Sequence, residues 1–417
     1  MATPELAASA ESQTPLNAER CAVRSLEEAP LRILTLCYEW PPVGGGGGRA
    51  AEAIAEALAS RGHKVRVQTI RFNETPAHQV VANVDVYRTW GFRQRADQCT
   101  PLEMAGYIAS STIPTLRHIA EFRPDLIHAH FAVPTGALAL ATSFVARLPY
   151  LITVHLGDVP GAIPEQTDML FRRLNSLIRP IWRRAAAVVS VSKFGGELAQ
   201  KAYGREPIVI PNGISLSRRP GVPQPATRAP RLIFVGRLNS QKNLHSLPPI
   251  LAKLRQFTWE LDMVGDGEER ASLETAFAEI ELADRVHFHG WLDRPVVEAK
   301  MRAAEIFIFP SFVEGLSLAV LEALKFGLLL VTSDIPTLRE CVASGLNGYL
   351  ISLDAPDQWV EKLRSLLSDP ELRLAMRRKS WEMVERFDLE RIADQYETLL
   401  RRIAAENPRR NPSIKAP

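Results

Sequence analysis

Short apolar runs alternate with helix-length amphipathic segments along most of this chain. After residue 30 the order is LRILTLCY, a helical pattern over Ala50–Ser60 and then KVRVQTI, which is the order strand, helix, strand. Further apolar runs follow with helix-length segments between them, namely DLIHAH, PYLITVH, AAVVSVS and PIVI. Strands that alternate with helices in this way form a parallel sheet that helices cover on both faces. The pattern therefore predicts a doubly wound α/β domain over residues 31–213.

A second series of the same kind occupies the later part of the chain. Its apolar runs are RLIFVG, WELDMVG, RVHFHG, IFIFP, LLLVTS and NGYLI. The proline-rich segment Arg218–Pro230 lies between the two series and is interpreted as their connection. The remainder is helical by pattern, with Pro370 between two helices. We predict a second doubly wound domain over 214–385, followed by a separate helix over 386–405.

Composition narrows the class of protein. A chain of 417 residues with 46% hydrophobic and 23% charged residues can bury a core in each of two domains. The formal net charge is only +3, so bulk charge indicates no nucleic-acid partner. The cysteines lack the spacing of a zinc site or a disulfide framework, which favours a reducing, cytoplasmic location. They are Cys21, Cys37, Cys99 and Cys341.

Two terminal segments and one internal segment bear on membranes. Residues 1–30 contain five glutamates and no apolar signal core, so they are interpreted as a disordered tail, and residues 406–417 are interpreted as a C-terminal tail. No apolar stretch is long enough to span a bilayer. The segment 171–184 combines apolar and aromatic residues with five arginines, a composition that can lie on anionic lipid. A packed helix pair with a solvated basic face is the alternative interpretation of that segment.

The stretch EIFIFPSFVEGLSLAVLEAL, residues 305–324, gives the strongest functional signal. Its pattern predicts a strand over 306–309 and a helix from Leu318 onward, so the intervening loop lies at a helix N-terminus. Unpaired N–H groups of about Leu316–Leu318 and the positive end of the helix dipole suit a phosphate there.

Two carboxylates flank this predicted phosphate subsite. Glu314 lies in the loop and Glu322 lies about one helical turn further on. Carboxylates accept hydrogen bonds from hydroxyls, as the acidic residue beside a nucleotide ribose does in α/β folds. The stretch therefore predicts a ligand made of a nucleotide joined to another polyol. An ordinary strand, turn and helix with two solvated glutamates is the alternative.

Polar candidates follow several of the predicted strands. In doubly wound folds, ligands bind beyond the carboxyl ends of the strands, so these residues should share a cleft. In VGRLNSQKNL, Arg237 and Lys242 lie just past a buried strand, before a helix predicted to start near Asn243, and two cations there suit a diphosphate. A solvated turn is the alternative. The other strand-end candidates are Gly44–Gly48, His130, His155 and Glu314.

Glycines and histidines complete the set of candidates. The run Gly44–Gly48 lets backbone approach a ligand closely, although it lacks the GxGxxG spacing of a dinucleotide site and can also be a flexible loop. His155 ends a strand at the expected cleft, with Asp158 three residues on, and a structural histidine is the alternative. The pairs His128 with His130 and His287 with His289 lack a nearby third ligand, and no DxD sequence occurs. We therefore expect no metal site.

Taken in order, these segments resemble the family 4 glycosyltransferases over about Leu31–Leu400. The resemblance implies the GT-B fold, with two Rossmann-like domains facing a central cleft and C-terminal helices packing back on the first domain. The matching segments are PPVGGGGGRAAEAIAEALASRGHKV, PDLIHAH, TVH, VVSVSKF, IPNGI, FVGRLNSQKNL, MVGDG, VHFHGWL and EGLSLAVLEAL.

The resemblance also implies roles for individual residues. In the second domain, Glu314 contacts the donor sugar, Glu322 contacts the ribose, and the backbone of the intervening loop meets sugar and phosphate. The basic pair holds the pyrophosphate, and residues near Leu292 contact the base. In the first domain, a histidine lies near the sugar and two glycines approach the donor phosphate. The loop residues are Gly315, Leu316, Ser317 and Leu318, the basic pair is Arg237 and Lys242, the first-domain residues are His155, Gly45 and Gly46, and His130 and Asp158 are assigned to the acceptor side.

The implied activity is sugar transfer from a nucleotide-diphosphate sugar to a hydroxyl of a glycan or lipid-linked glycan, with retention at the anomeric carbon. Neither a metal nor another cofactor is expected. Some positions depart from the family pattern, and Leu156, which follows His155 in place of a frequent glycine, bears on the acceptor side. The others are Leu329, Thr337 and Leu338. A non-catalytic sugar-nucleotide-binding subunit and a sugar-nucleotide epimerase of the same fold are the alternatives.

Overall fold

The computed structural model describes residues 29–96, 98–161, 175–225 and 229–407, which fold around two β-sheets. Nearly all of the two predicted tails lies outside the described residues. The strands of the first sheet all precede the proline-rich connection and those of the second all follow it. The two predicted sheets are thus confirmed, while the domain boundaries at 213 and 385 stay predictions.

The first sheet has eight strands in the part of the chain that the structure describes. Their order is β3-β4-β2-β1-β5-β6-β7-β8, and neighbours are parallel except that β3 runs antiparallel to β4 at one edge. Every predicted run of the first series forms a strand. The strands are β1 (Arg32–Cys37), β2 (Lys64–Ile70), β3 (His78–Val81), β4 (Val84–Thr89), β5 (Leu126–His130), β6 (Tyr150–Val154), β7 (Ala187–Ser190) and β8 (Ile208–Val209).

The hairpin of β3 and β4 is missing from the predicted set of strands. All four residues of β3 are exposed, so no buried apolar run marks it in the sequence. The turn between the two strands is the dipeptide Ala82-Asn83, in which both residues have positive φ, 47° and 64°, and Asn83 is the one residue whose type favours that conformation. Tight two-residue hairpin turns require that backbone conformation.

Helices cover both faces of the first sheet. One face carries α1 and the other carries α2 and α3, with a further helical stretch over 175–184. Helix α1 begins four residues before its predicted start, inside the glycine run, and its Gly48 packs directly on the backbone of Glu39. A Cβ at Gly48 would lie 1.6 Å from the Glu39 carbonyl oxygen. The helices are α1 (Gly46–Ser60), α2 (Pro101–Phe122), α3 (Ala137–Ala146) and α4 (Lys193–Tyr203).

The second sheet has six parallel strands in the order β11-β10-β9-β12-β13-β14, and each matches a predicted run. The strands are β9 (Arg231–Val235), β10 (Glu260–Val264), β11 (Val286–Phe288), β12 (Ile306–Phe309), β13 (Leu329–Ser333) and β14 (Gly348–Ile351). The helices around it are α5 (Leu247–Ala252), α6 (Arg270–Glu279), α7 (Arg294–Ala303), α8 (Leu318–Lys325), α9 (Pro356–Ser368) and α10 (Pro370–Met383).

The helix predicted to start near Asn243 starts at Leu247 instead. Asn243 adopts the left-handed conformation, with φ of 53°, between two short 3₁₀ turns. A left-handed residue interrupts a right-handed helix, and Pro248 then fits the first turn of α5. Lys242 therefore lies in a turn, Ser240–Lys242, rather than at the end of an α-helix.

The last helix, α11 (Leu389–Ala405), returns to the first domain as predicted. It packs on the same sheet face as α1 and buries Tyr396 and Leu400 there. The Tyr396 hydroxyl lies 3.2 Å from Thr153 Oγ1 on β6. At the solvent edge, Arg61 forms ion pairs with three acids of α11, namely Glu390, Asp394 and Glu397.

Most of the described apolar residues of the basic segment 171–184 are buried, although Leu177 is 68% exposed. Ile178, Ile181 and Trp182 are buried in the first domain, and Trp182 stacks on Tyr203 with ring centroids 4.4 Å apart. These side chains therefore cannot lie in lipid as the sequence suggested, and residues 171–174 lie outside the described residues. Within the described ranges, no helix combines the length and the apolar character needed to cross a bilayer.

We expect Leu400→Ala to lower the free energy of unfolding by about 2–5 kcal/mol, because it opens a cavity where α11 enters the first-domain core. Gln395→Ala, on the exposed side of the same helix, should change it by less than about 0.5 kcal/mol. Urea denaturation followed by circular dichroism measures both. Equal, small effects would show that α11 does not stabilise the first domain.

Candidate active site

A buried ion pair joins the two candidate loops of the second domain. Lys242 Nζ lies 2.5 Å from Glu314 Oε1, and the two side chains are only 13% and 7% exposed. Gln241 also joins the two loops. Its side-chain Nε2 donates to the Val313 carbonyl at 2.8 Å, and its backbone carbonyl accepts from the Phe312 amide at 2.9 Å. The structure thus brings together one cation and one carboxylate that lie 72 residues apart in the sequence.

Arg237 follows β9 at the other side of the same turn. A Cβ at Gly236 would lie 3.7 Å from Lys242 Cε, so the lysine stem crosses the backbone next to Arg237. The Leu238 amide donates to the Asp266 carbonyl at 2.9 Å, which fixes this loop against the loop after β10. Because β9 and β12 are neighbours in the sheet, the predicted basic pair and Glu314 lie at one sheet edge.

The loop Gly315–Ser317 leads into α8, which starts at Leu318 as predicted. Its first N–H groups have no acceptor within the helix, so they can bind an anion. Glu322 lies one turn into α8 and is half-buried. Burial raises the pKa of Glu322, and nearby Arg294 and Arg49 oppose that rise. Because Arg49 belongs to α1, the first domain contributes charge to this part of the cleft.

The first domain contacts the same loop directly. Asn212 Nδ2 donates to the Leu316 carbonyl at 2.8 Å in a buried hydrogen bond. A Cβ at Gly315 would lie 3.6 Å from Leu156 Cβ, so Leu156, next to His155, packs on the loop. The candidate residues of both domains therefore face each other across one cleft.

The two glycines assigned to donor phosphate face open space. Gly45 precedes α1 and Gly46 is its first residue, and a Cβ at either would meet no atom within 4 Å. Gly47 is different, since its Cβ would lie 2.6 Å from Phe131 Cζ and 3.2 Å from His155 Cγ. The first turn of α1 thus packs on His155 with one side and leaves the Gly45–Gly46 side free for a ligand.

His155 is half-buried and continues a row formed by the buried His130 and His128. Its ring centroid lies 6.0 Å from that of His130, which lies 4.2 Å from that of His128. Burial lowers the pKa of His155 to about 4 and that of His128 to about 3, and it holds the pKa of His130 well below the ordinary value. All three side chains are therefore neutral near pH 7, and His155 can donate or accept a hydrogen bond without carrying charge.

Asp158 links the segments that follow β5 and β6 through two hydrogen bonds. Its Oδ1 accepts from the Ala132 amide and its Oδ2 accepts from the His155 amide, both at 3.0 Å. The carboxyl is buried, and burial raises its pKa to about 7. These contacts position His155 and the segment after β5. The acceptor-side roles assigned to Asp158 and His130 stay predictions, and His130 is buried beneath the cleft surface.

The segment assigned to the base lies beside the loop after β10. The Gly265 amide donates to the Gly290 carbonyl at 2.9 Å, and Leu292 is half-buried against the second-domain core. In the described residues, no group of three or more His, Cys, Asp or Glu side chains is arranged to hold a metal ion.

Sequence reasoning missed two residues that build the site. Asn212 lies in the segment IPNGI and Gln241 in the segment VGRLNSQKNL, and the sequence alone indicated no role for either side chain. Both act through hydrogen bonds to backbone carbonyls of a distant loop. The one sequence signal for these two residues is an amide side chain just after a predicted strand. That signal does not show which distant carbonyl the amide binds.

The buried histidines should make stability depend on pH. Below pH 6.5 the unfolded chain protonates His128, His130 and His155 while the folded chain does not, so their contribution is complete above pH 6.5 and declines as the pH falls. Asp158 opposes this trend between about pH 7 and 4, since its folded carboxyl holds a proton that the unfolded one releases.

We therefore expect His130→Leu to flatten the decline in unfolding free energy below pH 6.5, by an amount that approaches ~1.4 kcal/mol per pH unit near pH 5. His245→Gln, at an exposed position, should keep the wild-type slope. Urea denaturation at several pH values measures it, and an unchanged slope in His130→Leu would mean that this histidine is protonated in the folded chain.

Two family models match the chain in succession. The model for Glycosyltransferase Family 4 matches residues 44–218, and the model for glycosyl transferases group 1 matches residues 220–383. The junction between the matches falls at the start of the proline-rich connection.

Individual proteins are similar over comparable lengths. The chain is 28% identical over 363 residues to glycogen synthase from Mycobacterium tuberculosis. The aligned region covers 82% of this chain and 87% of that protein. The chain is 29% identical over 274 residues to the putative teichuronic acid biosynthesis glycosyltransferase TuaC from Bacillus subtilis, covering 62% of this chain and 65% of that protein.

Solved structures share the fold. The crystal structure of Anabaena HepE in complex with UDP and glucose superposes with a TM-score of 0.70 at 19% sequence identity, covering 89% of this chain and 99% of that one. The fold is therefore GT-B, with two Rossmann-like domains. The cleft geometry, the two family matches and the similar enzymes agree, and the chain belongs to the family 4 glycosyltransferases.

Proposed function

We propose that this glycosyltransferase moves a sugar from a nucleotide-diphosphate sugar to a hydroxyl of a glycan or lipid-linked glycan, with retention at the anomeric carbon. The observation that carries the proposal is the buried pair Lys242 and Glu314 beside the N-terminus of α8. It sets a cation for phosphate next to a carboxylate for sugar hydroxyls. The UDP and glucose in the HepE complex are consistent with such a donor.

Donor binding is expected to change the partner of Lys242. In the structure its ammonium group forms an ion pair with the Glu314 carboxylate. A diphosphate bound between Arg237 and the N–H groups of Leu316–Leu318 would give Lys242 two negative charges as an alternative partner. Once Lys242 turns to the phosphate, Glu314 is free to accept hydrogen bonds from sugar hydroxyls. Binding and sugar selection are thus coupled through one ion pair.

Bond cleavage is assisted by charges fixed before the reaction begins. As the bond from the anomeric carbon to the diphosphate oxygen breaks, negative charge grows on the leaving group beside Arg237, Lys242 and the positive end of α8. Preorganised charges in a closed cleft lower such a barrier by several kcal/mol. We propose that they suffice without a metal ion.

The acceptor oxygen then forms the new bond on the same face, and its proton passes to the departing diphosphate oxygen. His155, neutral and packed between Gly47 and Phe131, can position the sugar by a hydrogen bond. The contacts of Leu156 and Asn212 with the Gly315–Leu316 loop hold the two domains together around the reacting atoms and exclude water, the competing acceptor.

We expect Lys242→Met to lower the rate of transfer about 10²–10³-fold, because it removes a cation from the leaving group. The donor is first identified from thermal shifts with uridine, guanosine and adenosine diphosphate sugars, and turnover is then followed as release of the nucleoside diphosphate. Lys253→Met, at an exposed surface lysine paired with Asp357, is the matched control and should keep the wild-type rate. Addition of EDTA should leave the rate unchanged.

Normal turnover in both Lys242→Met and Arg237→Met would contradict the assignment. A wild-type protein that binds the donor but releases no nucleotide with any acceptor would be a binding subunit instead. Conversion of the donor without an acceptor would indicate an epimerase.

Gly46→Ala should weaken donor binding at least about tenfold while the unliganded fold keeps its stability. The added methyl group meets no protein atom, so it can interfere only with a ligand that approaches the start of α1. Gly221→Ala, at an equally open position in the connection, is the control. Calorimetric titration measures the affinity, and an unchanged donor affinity in Gly46→Ala would remove the glycine run from the donor site.

A further inference from the structure

An exposed and largely apolar face lies on the first domain, away from the cleft loops. Helices α2 and α3 pack against each other on the sheet face opposite α1 and α11. The sequence of α2 has no charged residue between Glu103 and Arg117, and α3 has none at all. A surface helix of a globular domain normally turns charged residues to solvent. Helix α3 has none to expose, and α2 exposes charged residues only in its last two turns, at Arg117 and Glu121.

The side chains on this face are apolar and well exposed. Phe144 is 72% exposed, Val145 68% and Ile113 62%. The exposed positions of α2 recur at helical spacing, so they form a stripe along the helix. We call this the apolar face: Ala109, Ile113 and Ala120 of α2 with Ala141, Phe144 and Val145 of α3. Contiguous exposed apolar surface of this kind marks an interaction site.

The rim of the apolar face is basic. Arg117 lies on α2 between Ile113 and Ala120, Arg123 and Arg147 directly follow α2 and α3, and all three are exposed. The guanidinium of Arg184 lies 5.7 Å from the centroid of the Phe144 ring. Across the described residues 98–161 and 175–186, Glu121 is the sole exposed acid. The face therefore carries a net positive charge around an apolar centre.

We propose that the apolar face docks on an anionic phospholipid surface. Apolar and aromatic side chains flanked by arginines lie at the boundary between acyl chains and headgroups, while the arginines meet lipid phosphates. A second copy of this chain fits less well, because Glu121 is the one exposed acid on this face that could pair with the arginines of the other copy. The proposal replaces the buried residues of segment 171–184 with a different set as the lipid contact.

Sedimentation of the full chain with vesicles tests the proposal. Binding to phosphatidylcholine vesicles that contain phosphatidylglycerol should be strong at low salt and weak at high salt, and binding to phosphatidylcholine alone should be weak. Phe144→Ser with Val145→Ser should reduce partitioning by at least about tenfold. Arg147→Ala with Arg184→Ala should reduce it about fivefold for each arginine removed.

Leu346→Ser is the matched control, since Leu346 is 58% exposed on the second domain, and it should sediment like the wild type. Every variant should keep the wild-type circular dichroism spectrum and melting temperature, because the substituted side chains face solvent. Failure of the wild type to sediment with anionic vesicles would overturn the proposal. So would a concentration-dependent dimer, detected by light scattering, that the Phe144 and Val145 substitutions abolish.

Discussion

The ion pair between Lys242 and Glu314 is the constraint on which the site depends. Burying a charged lysine or a charged carboxylate alone is costly, whereas a close pair offsets much of that cost. The pair can form because β9 and β12 are neighbours in the second sheet, which places their following loops at one edge. Sheet order thus explains how a basic turn and an acidic loop far apart in sequence share one cleft.

The first domain contributes a rigid surface opposite that pair. Asp158 holds the ends of β5 and β6 together through two backbone amides, and His155 lies against the first turn of α1. Neutral, buried histidines give this surface shape and hydrogen-bonding capacity without adding charge to the donor site. In the proposed mechanism, Arg237, Lys242 and the start of α8 in the second domain meet the diphosphate, and the first domain positions the sugar and closes the cleft.

The sequence allowed prediction of those parts that depend on local pattern. Every apolar run predicted as a strand forms one, and α8 starts at the predicted residue because Pro310 and the loop separate two clear periodicities. Features set by tertiary contacts were missed. The exposed strand β3 has no apolar signal, the left-handed Asn243 delays α5, and Asn212 reaches a loop more than a hundred residues away.

The same limit applies to the lipid contact that the sequence predicted. Composition shows that residues 171–184 are basic and aromatic, but only packing shows that Trp182 is buried beside Tyr203. Conversely, α2 and α3 look like ordinary core helices in sequence, and their exposed apolar side becomes visible only when the solvent-facing positions are known. Pattern predicts which elements form, and tertiary packing decides which side chains they leave exposed.

The most direct test of the central claim is a crystal structure of the chain with its nucleotide-diphosphate sugar. We predict that the diphosphate lies between Arg237, Lys242 and the amides at the start of α8. The sugar hydroxyls should donate to Glu314, and the first turn of α1 should contact the donor. A diphosphate bound elsewhere, with Lys242 still on Glu314, would contradict this prediction.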